Sequence, residues 1–176
     1  MHNAEMRAEL RDLPLARSIC HALKATKIAT LEQTDTYFKL ATGRLKKREC
    51  AGEPTEYVFY DRDNRARPRL SHFTIYSENE AAERFGSTPM PVWVVVKKTR
   101  ELWMLGSVRI HLDTVEDLGA FIEFEALVSP SNNVARCHET VAALRGSFAP
   151  AMGETIAVSY SDMIAGQIES QTSPEA

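Results

Sequence analysis

Cysteine is scarce in this chain, and what there is builds no framework. Cys20, Cys50 and Cys137 are odd in number and far apart, with no Cys-x-x-Cys, which argues against a disulfide scaffold or a cysteine-built zinc site and leaves three small hydrophobes. Long hydrophobic runs are missing too. The stretch 92–96 is far too short to span a bilayer, and Glu5, Arg7, Glu9, Arg11 and Asp12 occupy the region where a signal peptide needs an apolar run. A cytoplasmic protein without membrane contact is therefore expected. Nor is there an excess of basic charge. A net charge of −3, with no stripe of interleaved basic and aromatic residues, speaks against nucleic acid as a partner, although a locally basic cavity can still hold a polyanion.

What is present is ordinary in amount and unusual in arrangement. Hydrophobic residues at 44% and charged residues at 26% match a soluble globular chain, and 176 residues suit one domain, read as 1–170 with a frayed tail at 171–176. Residues 2–11 alternate as a strand, and Asp12 with Pro14 opens a helix expected to end near Thr26. Strands are predicted over 28–38, after a turn at Thr42 and Gly43, over 56–62 and on through Arg69, Ser71 and Phe73. A short helix fits 78–85, and a Val-rich strand follows Pro89 and Pro91. Helices are expected over 131–144, closing near Gly146, and in the tail SYSDMIAGQ.

The ionisable residues share strand faces. In VRIHLD (108–113) a period of two sends Val108, Ile110 and Leu112 one way and Arg109, His111 and Asp113 the other. In FIEFE (121–125), Glu123 and Glu125 alternate with Ile122 and Phe124; Lys98 and Arg100 stand two apart, as do Arg44, Lys46 and Arg48. Any one such face is explained by solvent and salt pairing. Together they are not, because an inward face of unpaired charge cannot be dry and must enclose water, ions or a ligand.

QTDTYF (33–38), GRLKKRE (43–49), KTREL (98–102), RIHLD (109–113), FIEFE (121–125) and the closing SYSD (159–162) resemble, in order and separation, the CYTH domain family. These proteins, also called triphosphate tunnel metalloenzymes, include class IV adenylyl cyclases, thiamine triphosphatases and inorganic triphosphatases. The resemblance implies an α+β fold, a closed antiparallel eight-stranded β-barrel with flanking helices. Its tunnel is lined by bases for a triphosphate and by carboxylates for Mg²⁺ or Mn²⁺. One motif departs from the pattern. The family's opening Glu-x-Glu-x-Lys falls on Asn3-Ala4-Glu5-Met6-Arg7, so one carboxylate is an amide, and an arginine that cannot act as a base replaces the lysine.

On this reading Glu5, Asp113, Glu123 and Glu125 are the catalytic and metal-ligating carboxylates. Arg7, Arg44, Lys46, Arg48, Arg62, Arg69, Lys98, Arg100 and Arg109 bind phosphate oxygens. His111 reads as a hydrogen-bonded structural residue, and Tyr37, Tyr60 and Tyr160 as packing or as the frame of a mouth. The motifs look most like the class IV cyclase branch, converting ATP to cyclic AMP and pyrophosphate. Hydrolysis of tripolyphosphate, thiamine triphosphate or a nucleotide is the alternative, and a non-catalytic polyphosphate or nucleotide binder is the third reading. A homodimer is compatible with each.

Overall fold

Period-two alternation builds most of this molecule. The computed structural model describes residues 1–41, 43–61 and 69–172, with the side chains at 61 and 69–71 also outside the described set. Its strands are β1 (His2–Leu10), β2 (Thr26–Phe38), β3 (Arg44–Cys50), β4 (Glu56–Asp61), β5 (Arg69–Ser77), β6 (Val92–Leu105), β7 (Val108–Val115), β8 (Gly119–Leu127) and β9 (Met152–Ile156). They pair in the order β5-β4-β3-β2-β6-β7-β8-β1-β9. One edge of β1 pairs antiparallel with β8 over residues 3–9, and the other takes β5 over 2–5 and β9 over 7–10. The sheet thus closes on itself as an antiparallel barrel of eight strands, with β9 appended.

The apolar faces of β1, β7 and β8 point outward and are covered by helix. Met6, Ile110, Leu112, Ile122 and Phe124 form one core with Ala16 and Cys20 of α1 (Leu13–Ala22) and Val141, Leu144 and Phe148 of α3 (Val134–Phe148). Cys20 and Cys137 lie in this core as small hydrophobes, whereas Cys50 is half-buried on the cavity wall. A second cluster of Tyr37, Tyr60, Val94, Val96, Val115, Phe121 and Tyr160 packs with Met163 and Ile164 of α4 (Tyr160–Thr172) and fills one end of the barrel. The remaining helix, α2 (Glu78–Phe85), has a Ser77 capping box and spans the residues expected.

Several boundaries differ from those read in the sequence, and one strand is added. α1 stops at Ala22 rather than near Thr26. Lys24 adopts φ 60°, its amide returns to the His21 carbonyl, and that of Ala25 returns to Cys20, a Schellman closure made without the usual glycine. α3 begins later, under an Asn133 cap, and runs through Gly146 to Phe148. β9 was not anticipated, since MGETI carries no alternation and owes its strand to pairing with β1. Gly43 marks the expected turn at φ 71°, and Gly119 opens β8 at 107°. At Gly43 a Cβ would also lie 2.6 Å from the Phe59 ring. Thr42 lies outside the described residues. No helix among the described residues is long and apolar enough to cross a membrane.

Candidate active site

The inward face of the barrel encloses a cavity of about 510 Å³, the size of a small-molecule site. Its lining changes sign around the circumference. β3 and β6 contribute Lys46, Arg48, Lys98 and Arg100, and on the other side β1, β7 and β8 contribute Glu5, Arg7, Arg109, His111, Glu123 and Glu125.

The basic wall is held from behind by buried acids. Asp35 of β2 is fully buried; it accepts from Arg48 through two bonds of 2.8 and 2.7 Å and from Lys98 Nζ at 2.6 Å, with Lys46 Nζ 3.9 Å away. Burial alone would raise the Asp35 carboxyl, but Lys98, Arg48 and Lys46 hold it well below the usual range. Asp113 does the same for Arg100, through two bonds of 2.7 Å, and also accepts from the Tyr160 hydroxyl at 2.8 Å. Burial opposes this too, yet Arg100 brings Asp113 down to about 2. The guanidinium forks of Arg48 and Arg100 are thereby fixed in orientation before any ligand arrives. The amines fare differently. Burial, with Arg48 and Arg100 nearby, outweighs the pull of Asp35 and brings Lys98 down to about 8. Lys46 is pushed well below its ordinary value by burial and by Arg48, more than Asp35 restores.

The acidic wall mirrors this with buried bases. Glu123 accepts from Arg7 Nη2, and His111 Nδ1 lies 3.2 Å from its other oxygen. Arg7 also donates to the Val158 carbonyl at 3.1 Å and lies 4.1 Å over the Tyr160 ring. Burial opposes the charge of Glu123, but Arg7 and His111 keep it well below the usual carboxylate range. Glu125 has a weaker partner, His111 Nδ1 at 4.0 Å, and burial, then Glu123 and Glu5, push it up to about 8. Burial and Arg100 bring His111 down to about 4 against the pull of Glu123, so its imidazole is neutral at neutral pH.

Among the described residues, His111, Glu123 and Glu125 each bring a ligand-type atom within 4.8 Å of the others. Asn3 Oδ1, also on the lining, is buried with no hydrogen-bond partner among the described residues. An orphaned amide oxygen, a carboxyl kept protonated by its neighbours and a neutral imidazole together fit a divalent cation, which would take the place of the Glu125 proton. Glu5 lines the same wall, opposite Glu125 in the β1–β8 register.

The residues proposed from the sequence divide accordingly. Glu5, Glu123, Glu125, Arg7, Lys46, Arg48, Lys98, Arg100 and Arg109 line one cavity, while Asp113 stands behind it as the anchor of Arg100. Arg44 does not line the cavity; it bonds Asp162 at 2.7 Å and stacks on Trp93 at 4.5 Å. Arg62 lies outside the described residues, and Arg69 supplies β5 backbone opposite Glu5, its side chain outside the described set. The sequence reading gave no role to Asp35 and only a structural one to His111. The β2–β3 register sets Asp35 opposite Arg48, and no local pattern in the sequence carries that.

The CYTH domain model matches residues 1–160. The chain belongs to the CYTH domain family. Solved structures with the same fold include a Pyrococcus horikoshii protein with 19% identity and a TM-score of 0.74, covering 91% of this chain and 98% of that one. A candidate adenylate cyclase from Vibrio parahaemolyticus has 16% identity and a TM-score of 0.72, covering 94% and 98%. A candidate adenylyl cyclase from Hippeastrum with a dominant triphosphatase activity has 14% identity and a TM-score of 0.58, covering 96% of each chain. No curated protein matches the sequence significantly.

Proposed function

We propose that this CYTH-family chain is a divalent-cation-dependent enzyme acting on a triphosphate in the barrel, cyclising ATP to cyclic AMP and pyrophosphate. The observation that carries this is the facing of a preoriented basic wall and a cation-deficient acidic wall across one cavity. Arg48 and Arg100 present fixed forks to phosphate oxygens, and Lys46 and Lys98 regain full charge when a polyanion lies between them. Glu123, Glu125, His111 and Asn3 would hold Mg²⁺ or Mn²⁺, whose contribution when bound is neutralisation of charge on the phosphate oxygens. In cyclisation the ribose 3′-oxygen bonds to the α-phosphorus, its proton passes to solvent water, and the bond to the departing pyrophosphate breaks. The basic wall stabilises the charge that builds on that leaving group.

Hydrolysis is the second reading, favoured by the triphosphatase activity of the Hippeastrum relative. Against it stands Arg7. Burial would lower this guanidinium, but Glu123 and its neighbours raise it further, so it cannot take a proton from water, and hydrolysis would need another base, such as the depressed Lys46 amine. Incubating the protein with ATP, thiamine triphosphate and tripolyphosphate under Mg²⁺ or Mn²⁺, then separating the products, decides between the two. Cyclic AMP with pyrophosphate is expected; phosphate release without cyclic AMP assigns hydrolysis, and tight binding without product assigns a binder.

A further inference from the structure

β1 and β5 meet at the seam where the barrel closes, paired antiparallel over residues 2–5 of β1. Asn3 and Glu5 face the cavity there, as do Phe73 and Ile75 of β5, so the alternation turns His2 and His72 to the outside. The register sets these two histidines directly opposite each other. Both rings are exposed, their centroids are 4.7 Å apart, and their Nδ1 atoms approach to 2.9 Å.

Exposed imidazoles find water for every hydrogen bond, so burial does not account for two like nitrogens brought together. A single Nδ1–H can bridge them when the tautomers differ, whereas a metal ion uses both lone pairs. The spacing says which ion. With metal–nitrogen bonds of about 2.0–2.1 Å, two ligands at a right angle lie about 2.9 Å apart, and a tetrahedral zinc angle needs about 3.3 Å. Right-angled nitrogen coordination suits Cu²⁺ and Ni²⁺, both of which take imidazole. We propose that His2 and His72 form a second metal site, outside the cavity, which takes Cu²⁺ or Ni²⁺ through two cis imidazole nitrogens and staples the closing seam of the barrel. The two ligands are 70 residues apart in the chain. An ion held by both therefore closes a long loop that the unfolded chain leaves open, and it binds the folded form preferentially. This site does not depend on the triphosphate reading.

The test is thermal melting and calorimetric titration with Ni²⁺, under saturating Mg²⁺, of the wild type, His2→Gln and His72→Gln. Any Ni²⁺ that enters the cavity does so in all three chains and cancels in the comparison. Ni²⁺ should raise the melting temperature of the wild type by about 2–4 °C more than that of either variant, with one more ion bound per chain. Both rings are exposed, so the variants should fold normally, and each rise is taken against that variant's own Ni²⁺-free melt. An equal rise and equal stoichiometry in all three chains would overturn the site and leave the pair as a cross-strand hydrogen bond. Loss in one variant alone would also overturn it, because the staple needs both imidazoles.

Discussion

The two walls of the cavity are built by one rule and left incomplete in opposite senses. On the basic side, Asp35 and Asp113 stand behind Arg48, Lys98 and Arg100, and the surplus falls on Lys46, which burial and its cationic neighbours push well below an ordinary amine. On the acidic side, Arg7 and His111 stand behind Glu123, and the surplus falls on Glu125, pushed up to about 8. A purely structural ion network would have no reason to leave both surpluses facing one cavity. A polyanion and a divalent cation would complete the two walls together, so each wall can be broken separately.

The largest effect is expected on the acidic wall. Glu125→Gln imitates the protonated form that the cation-free chain already adopts, so the fold should survive while turnover falls by about 10²–10³-fold, measured under saturating Mg²⁺. Near wild-type turnover would remove Glu125 from the metal assignment. Next comes Asp35→Asn, which strips the buried anion from behind Arg48 and Lys98 and should cost about 3–5 kcal/mol in denaturant unfolding. Tripolyphosphate should restore more stability to this variant than to the wild type, because it replaces the missing charge.

A smaller contrast separates two arginines on one face of β3. Arg48→Ala should weaken tripolyphosphate binding by about tenfold or more, as the loss of a charge-assisted fork does. Arg44→Ala should change it by less than about threefold, because Arg44 serves Asp162 and Trp93 rather than the cavity. Equal losses would place Arg44 in the binding surface after all.

The smallest expected effect is in pH. Glu125 titrates at about 8 folded against 4.5 unfolded, so the folded chain holds the extra proton in that window and stability falls as pH rises. His111, at about 4 against 6.5, works in the opposite direction up to pH 6.5, which confines the net fall to the range 6.5–8. Lys98, at about 8 against 10.5, leaves the unfolded chain holding the extra proton, so stability rises again above 8. Lys46, also held well below an ordinary amine, leaves the unfolded chain with a further extra proton and opposes that fall. Thermal melts of the ligand-free protein should therefore be nearly level across pH 6.5–8 and rise above it. Mg²⁺ should raise the melting temperature most toward pH 8, where Glu125 gives up its proton.

Strand faces were readable because period-two alternation is local. VRIHLD and FIEFE have outward faces in the helix-covered core and His111, Glu123 and Glu125 on the cavity. Distinctions within a face were not local. Arg44, Lys46 and Arg48 alternate identically, yet Arg44 meets α4, more than a hundred residues away, and Arg48 meets Asp35. Asp113 looks in sequence like a metal carboxylate beside Glu5, Glu123 and Glu125. Only the register of β6 on β7, which sets Arg100 opposite it, shows that its oxygens are taken. Asp35 was hidden for the same reason, since its partners lie on β3 and β6. The α1 terminus was missed because Lys24 fills a left-handed position where glycine is the usual mark.

The most direct measurement is a calorimetric titration of tripolyphosphate into the full chain, with and without Mg²⁺, repeated with a Lys46→Ala/Arg48→Ala variant. The two-wall account expects saturable binding at one site per chain, tighter with Mg²⁺ in the wild type and largely lost in the variant. No binding at millimolar tripolyphosphate, or equal binding by the double variant, would contradict it.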